Sequence, residues 1–170
     1  RHFKVLADYA ARLSLTMSAG REVAPVAVLY PSASLWVGGS ASDRCREAFE
    51  RITADLLGGH RTFHVVDAAD LARAVCDATR RCLRVGAAEY RVLVVPPLVS
   101  ADVETRDAVA RTREANAPVL AFEPVDDCDV AGLTPREALD GAAPRCYALD
   151  DRWLGELERL LPAEVAISGD

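Results

Sequence analysis

Tyr90-Arg91-Val92-Leu93-Val94-Val95-Pro96-Pro97-Leu98 is the stretch whose reading decides the fold. A continuous run of β-branched residues and leucine, bounded by a polar helix start at Ser100, is what a strand covered on both faces requires. Ligands and catalytic groups in open parallel sheets gather where the strands end. Here that point carries Pro96 and Pro97, which have no backbone N–H for an oxyanion and no side chain able to attack a substrate. The stretch predicts a central buried strand that ends without a nucleophile.

Upstream, Cys82-Leu-Arg-Val-Gly86 reads as a short extended piece. Thr62 to Val66 reads as a strand leading into Asp67, whose carboxylate can cap a helix carrying Leu71, Ala74 and Val75. Val23 to Tyr30 is an apolar strand stopped by Pro31, and residues 32–42 read as a long loop at its carboxyl end. Ser42 or Asp43 can cap the next helix, which runs through Leu57 with Cys45, Phe49, Ile52 and Leu56 on one face and is closed by Gly58-Gly59. Residues 2–19 place Phe3, Leu6, Tyr9, Ala10, Leu13 and Met17 at steps of three and four, an amphipathic helix ended by Gly20.

Downstream, a helix is predicted over about residues 101–116 and a strand over 117–122. A short helix follows at 134–139, a last strand at 146–149, and a final helix at 151–161 with Trp153, Leu154, Leu157 and Leu160 inward. Strands alternating with helices imply parallel strands joined by right-handed crossovers, hence an α/β fold built as a three-layer α/β/α sandwich. With five strands, the expected arrangement is a flavodoxin-like parallel sheet of order 2-1-3-4-5. Residues 1–20 are expected to be a linker helix continuing from a preceding domain, and residues 21–170 the α/β domain itself.

The chain has 170 residues, 51% hydrophobic and 27% charged, enough for one domain with its own core. A formal charge of -6 argues against nucleic acid as a partner, because neutralising phosphates needs clustered cations. No run approaches the ~20 apolar residues of a membrane helix, so no membrane partner is expected. The five cysteines, Cys45, Cys76, Cys82, Cys128 and Cys146, show no C-x-x-C spacing and imply neither a zinc site nor a disulfide framework. Buried free thiols are expected, with a Cys76–Cys82 bridge as the alternative.

Candidate binding or interface residues cluster at the strand ends: Tyr30, Ser32, Ser34, Trp36, Pro96 and Pro97. The hydroxyls and glycines of Ser32, Ser34, Gly38, Gly39 and Ser40 could receive a phosphate. The same loop lacks the threonine-rich spacing of a flavodoxin phosphate loop, so no cofactor is expected. Trp36 could anchor an interface, stack on a sugar, or fold back on the sheet edge. His60 and His64 are four apart but not on a helix, and Glu123, Asp126, Asp127 and Asp129 lack the spacing of a known calcium loop, so no metal is expected. A distant pair such as Cys45 with His64 is the remaining route to a nucleophile, and no catalytic residue is assigned.

Several stretches together resemble a known family. They are Asp8-Tyr-Ala-Ala-Arg-Leu-Ser14 followed by Gly20, Val26-Ala-Val-Leu-Tyr-Pro31 with Trp36, Leu83-Arg-Val-Gly86, and Tyr90 through Pro97. In order and spacing they are similar to the amidotransferase-like, flavodoxin-like accessory domain that follows the catalytic barrel in certain bacterial glycoside hydrolases. The α-L-rhamnosidase-like enzymes of family 106 are nearest, with the β-galactosidase trimerisation domain as a relative. The resemblance covers about residues 1–125. Where that family typically has an Ala-Gly-Gly turn, this chain has Ala115-Asn-Ala-Pro118. The glutamine amidotransferase signature, a cysteine on a Gly-x-Cys-x-Gly turn with a downstream histidine, is missing, since the turn reads Val95-Pro-Pro-Leu-Val99 and no histidine follows His64.

The resemblance implies a non-catalytic accessory domain of a larger carbohydrate-active enzyme, packing against a preceding catalytic barrel of the same polypeptide or holding subunits together as a homo-oligomer. A small-molecule binding or sensing module and an amidotransferase-like hydrolase with a displaced nucleophile are the rival expectations.

Overall fold

The structure is a computed structural model that describes residues 2–18, 20, 22–123 and 146–162. The fold is mixed α/β. Four parallel strands form the main sheet in the spatial order β2 (Phe63–Val66), β1 (Val26–Leu29), β6 (Val92–Val95) and β7 (Val119–Phe122). Two further residues, Cys146–Tyr147 (β8), run alongside Ala121 and Phe122.

The apolar runs are continuous because each strand feeds two cores. Successive residues of β1 and β6 alternate between them. Val26, Val28, Val92 and Val94 pack with Ile52 and Leu56 of α3 (Gly39–Gly58) and with Trp153 and Leu157 of α6 (Trp153–Leu160). Ala27, Leu29, Leu93 and Val95 pack on the other face with Leu71 of α4 (Ala68–Ala72) and with Ala108 and Val109 of α5 (Val103–Glu114). Each fully buried Val or Leu contributes about 1.5–3 kcal/mol, which is why the central strand tolerates no polar residue. Trp153 sits edge-on to Phe122, and its indole N–H donates to Asp55 at 2.9 Å, so this large ring is buried with its polar atom satisfied.

Several expectations are corrected. The stretch 90–95 is two strands: Tyr90 ends β5 (Ala88–Tyr90), and β6 begins at Val92. Arg91 separates them, and the N–H groups of Arg91 and Val92 both donate to the Pro25 carbonyl. With β3 (Val75–Asp77) and β4 (Cys82–Val85), β5 forms a small antiparallel sheet that laps over the α4/α5 face. Val75 is thus a strand residue, its helical spacing from Leu71 notwithstanding.

Residues 32–42 are helical rather than a loop: α2 spans Ser32–Val37 and α3 starts at Gly39. Ser42 and Asp43 therefore lie inside α3 and do not cap it. Asp67 does cap α4, accepting from the Asp70 N–H at 2.7 Å, while α5 is capped by Asp102 rather than Ser100. Helix α3 ends with His60, not a glycine, in the left-handed region at φ 52°. The His60 and Arg61 N–H groups donate to Leu57 and Leu56, the paired bonds of a Schellman turn. Asn116, at φ 55°, closes α5 in the same way. Leu160 is exposed, and Leu161 takes the inward place beside Leu157. The helix expected at 134–139 lies outside the described residues.

Candidate functional site

Helix α3 follows β1 on one face of the sheet and α5 follows β6 on the other, so the crevice at the carboxyl ends of these neighbouring strands is where the fold would hold a ligand. It is filled. Helix α2 lies across it and delivers Ser34, which is completely buried. The Ser34 hydroxyl donates to the Ser100 carbonyl at 2.7 Å and accepts from the N–H groups of Val99 at 3.0 Å and Ser100 at 3.1 Å. A serine that by sequence could have received a phosphate instead ties the segment after Pro97 down.

Cys45 completes the plug. It is buried, and its thiol donates to the Pro97 carbonyl at 3.0 Å. Burial pushes the thiol up to about 11, with the neighbouring Ser34 hydroxyl pulling weakly the other way. Reactive cysteines need a partly exposed, cationic setting that favours thiolate, and Cys45 has the opposite. Pro96 and Pro97 are buried as well. The space left among Leu29, Tyr30, Ser32, Leu98 and Thr105 is about 10 Å³, room for roughly one water.

The other expected residues stand at the rim. Ser32 is half-buried, and Tyr30 is exposed with its ring edge-on to Phe49 at 5.4 Å. Trp36 is 86% exposed, so it does not fold back on the sheet edge. Its neighbours Leu35 and Val37 turn inward against Ala41, Cys45 and Val99, and the Ser42 hydroxyl donates to the Leu35 carbonyl at 3.0 Å. The indole is thus held outward on a clamped helix.

The Cys45–His64 pair does not form. His64 lies on β2 with Nδ1 3.1 Å from the Tyr90 hydroxyl and Nε2 3.4 Å from Glu22, while Cys45 is engaged with Pro97. Cys45, Cys76 and Cys82 are free thiols. Among the described residues no group of three His, Cys, Asp or Glu side chains could hold a metal; Asp126, Asp127, Cys128 and Asp129 lie outside them.

Two further features stand open to solvent. Helix α1 (His2–Ser18) keeps Phe3, Leu6, Tyr9, Leu13 and Met17 in solvent, with Phe3 81% and Met17 74% exposed. At the opposite end of the sheet from the plug, a cleft of about 890 Å³ opens beside Pro25, Thr62 and Arg91, the residues that precede β1, β2 and β6. Sequence reasoning missed this cleft because its walls come from five separate segments nine or more residues apart, with no shared spacing.

Among the described residues, no helix is long and apolar enough to cross a membrane. Comparison with protein-family models, with curated proteins and with solved structures finds no match for this chain.

Proposed function

We propose that this chain is a non-catalytic accessory domain of a larger bacterial glycoside hydrolase, supporting interdomain packing or oligomerisation. In this reading β8 is the fifth strand of a flavodoxin-like, amidotransferase-like sheet of order 2-1-3-4-5. The observation that carries the proposal is the filled crevice. Ser34, Cys45 and the two prolines occupy the volume where the fold would place a substrate, and none of them is available for chemistry.

Helix α1 supplies the contact surface. A 17-residue helix is marginal alone in water, and an apolar stripe at steps of three and four is stable only when covered. The preceding catalytic barrel of the same polypeptide, or a second subunit, would cover it. The rival hydrolase with a displaced nucleophile needs an accessible thiolate, whereas Cys45 is buried and protonated at neutral pH.

The test compares hydrogen exchange of α1 in the 170-residue chain and in the longer natural polypeptide. The amides of residues 6–18 exchange rapidly in the first and become protected in the second, and Leu6→Asp abolishes that protection while leaving the stability of the shorter chain within about 0.5 kcal/mol. Rapid exchange in both, or turnover of an aryl glycoside or of glutamine by the shorter chain, would refute the proposal.

A further inference from the structure

The geometry points to the cleft at the amino ends of β1, β2 and β6 as a binding site for a small molecule bearing two or more carboxylate or phosphate groups. Open parallel sheets place their usual ligands at the other end of the strands, so this site is separate from the plugged crevice. Its volume of about 890 Å³ suits a small molecule rather than a macromolecular surface.

The chemistry follows from the walls. Arg61, Arg80 and Arg91 line the cleft with His60 and one carboxylate, Glu89, while Glu158 and Asp77 reach Arg61 and Arg80 from beside the wall, in a chain whose formal charge is -6. Acidic residues outnumber basic ones over the whole molecule, yet arginines outnumber carboxylates in the wall of this cleft. The Arg61 side chain is only 17% exposed, so it is held in place at the wall and can offer a bound anion charge-assisted hydrogen bonds.

The existing partners leave capacity. Arg61 donates to the Glu158 carboxylate at 3.2 Å and to the Leu161 carbonyl at 3.4 Å. Arg80 reaches Glu89 at 3.5 Å and Asp77 at 4.0 Å. Those contacts are long, and a guanidinium offers five N–H donors. The planar fork matches carboxylate and phosphate oxygens two at a time.

The backbone at the rim of the cleft belongs to the Schellman turn that ends α3. His60 holds φ 52°, a conformation that disfavours any residue with a β-carbon, at the rim of this same cleft. The preceding position, Gly59, has an ordinary φ of -82°. The imidazole of this turn residue therefore stands in the wall of the cleft.

The test uses citrate and pyrophosphate as probes, with chloride at matched ionic strength as control. Calorimetric titration of the 170-residue chain should give saturable binding of at least one of the two, and which one binds separates a carboxylate from a phosphate ligand. Binding should weaken at least roughly tenfold in the Arg80→Gln/Arg91→Gln double variant, the loss expected on removing charge-assisted hydrogen bonds. Amide resonances of the unaltered chain locate the site without any variant, and the shifts should concentrate at Thr62, Glu89 and Arg91. No saturable binding to either probe, equal binding in the double variant, or shifts scattered over the surface would each overturn the inference.

Discussion

The two ends of the parallel sheet differ in what the connecting segments do after and before the strands. At the carboxyl end, the six residues of α2 fold over the β1/β6 crevice and insert a buried serine whose hydroxyl makes three hydrogen bonds. At the amino end nothing among the described residues folds over the strands, and a cleft lined by arginines stays open. Strand polarity makes the carboxyl end the ordinary place for a ligand. Six residues of connection are enough to close it.

The largest expected effect comes from unplugging the closed end. Ser34→Ala removes all three hydrogen bonds and strands the buried Val99 N–H, so urea unfolding should show a loss of about 2–4 kcal/mol. A loss under about 0.5 kcal/mol would mean that α2 rests on the sheet without holding it, and the contrast between the ends would collapse.

A somewhat smaller effect should appear with pH. Burial raises the Cys45 thiol from 9.0 to about 11 in the folded chain, so the folded state keeps a proton that the unfolded state has released. The stabilisation is complete below pH 9 and is lost as pH rises through about 11, amounting to about 2–3 kcal/mol at the top of that window. Cys45→Ala should show a shallower alkaline limb in denaturant titrations at pH 8 to 11, since burial also raises Cys82 and Tyr90, and iodoacetamide should leave native Cys45 unmodified at neutral pH. Equal alkaline limbs in the two proteins would show that Cys45 does not couple the plug to protonation.

The smallest effect sharpens the contrast from the open side. His60→Gly relieves the left-handed strain and should stabilise the chain by about 0.5–1 kcal/mol in thermal or urea unfolding, part of the gain being offset by the freer unfolded glycine. A destabilised variant would mean that the imidazole already makes a compensating contact within the chain.

Much of the architecture is legible without coordinates. The run Val92–Val95 could only be buried on both faces, the Asp67 cap is a local side-chain bond, and Trp153 with Leu157 marks the buried stripe of α6. These follow from periodicity and from contacts within four residues. The candidate site was half legible. Pro96 and Pro97 follow β6, but Ser34 lies on a helix rather than in a loop and supports the closed crevice, and Cys45 emerges as its neighbour only when α3 packs on the sheet. Helix α2 was hidden because it is only six residues long and two of its first three are serines, which have modest helical preference; bonds from Ser34 to Ser100 and from Ser42 to Leu35 hold it.

By itself the sequence determined the class of fold, the buried central strand and the lack of a nucleophile at its end, because these depend on hydrophobic pattern and on the chemistry of two prolines. Only the tertiary structure decided which end of the sheet is closed and which is open. That choice rests on hydrogen bonds between residues 65 or more positions apart and on arginines gathered from separate segments, and no local pattern encodes either.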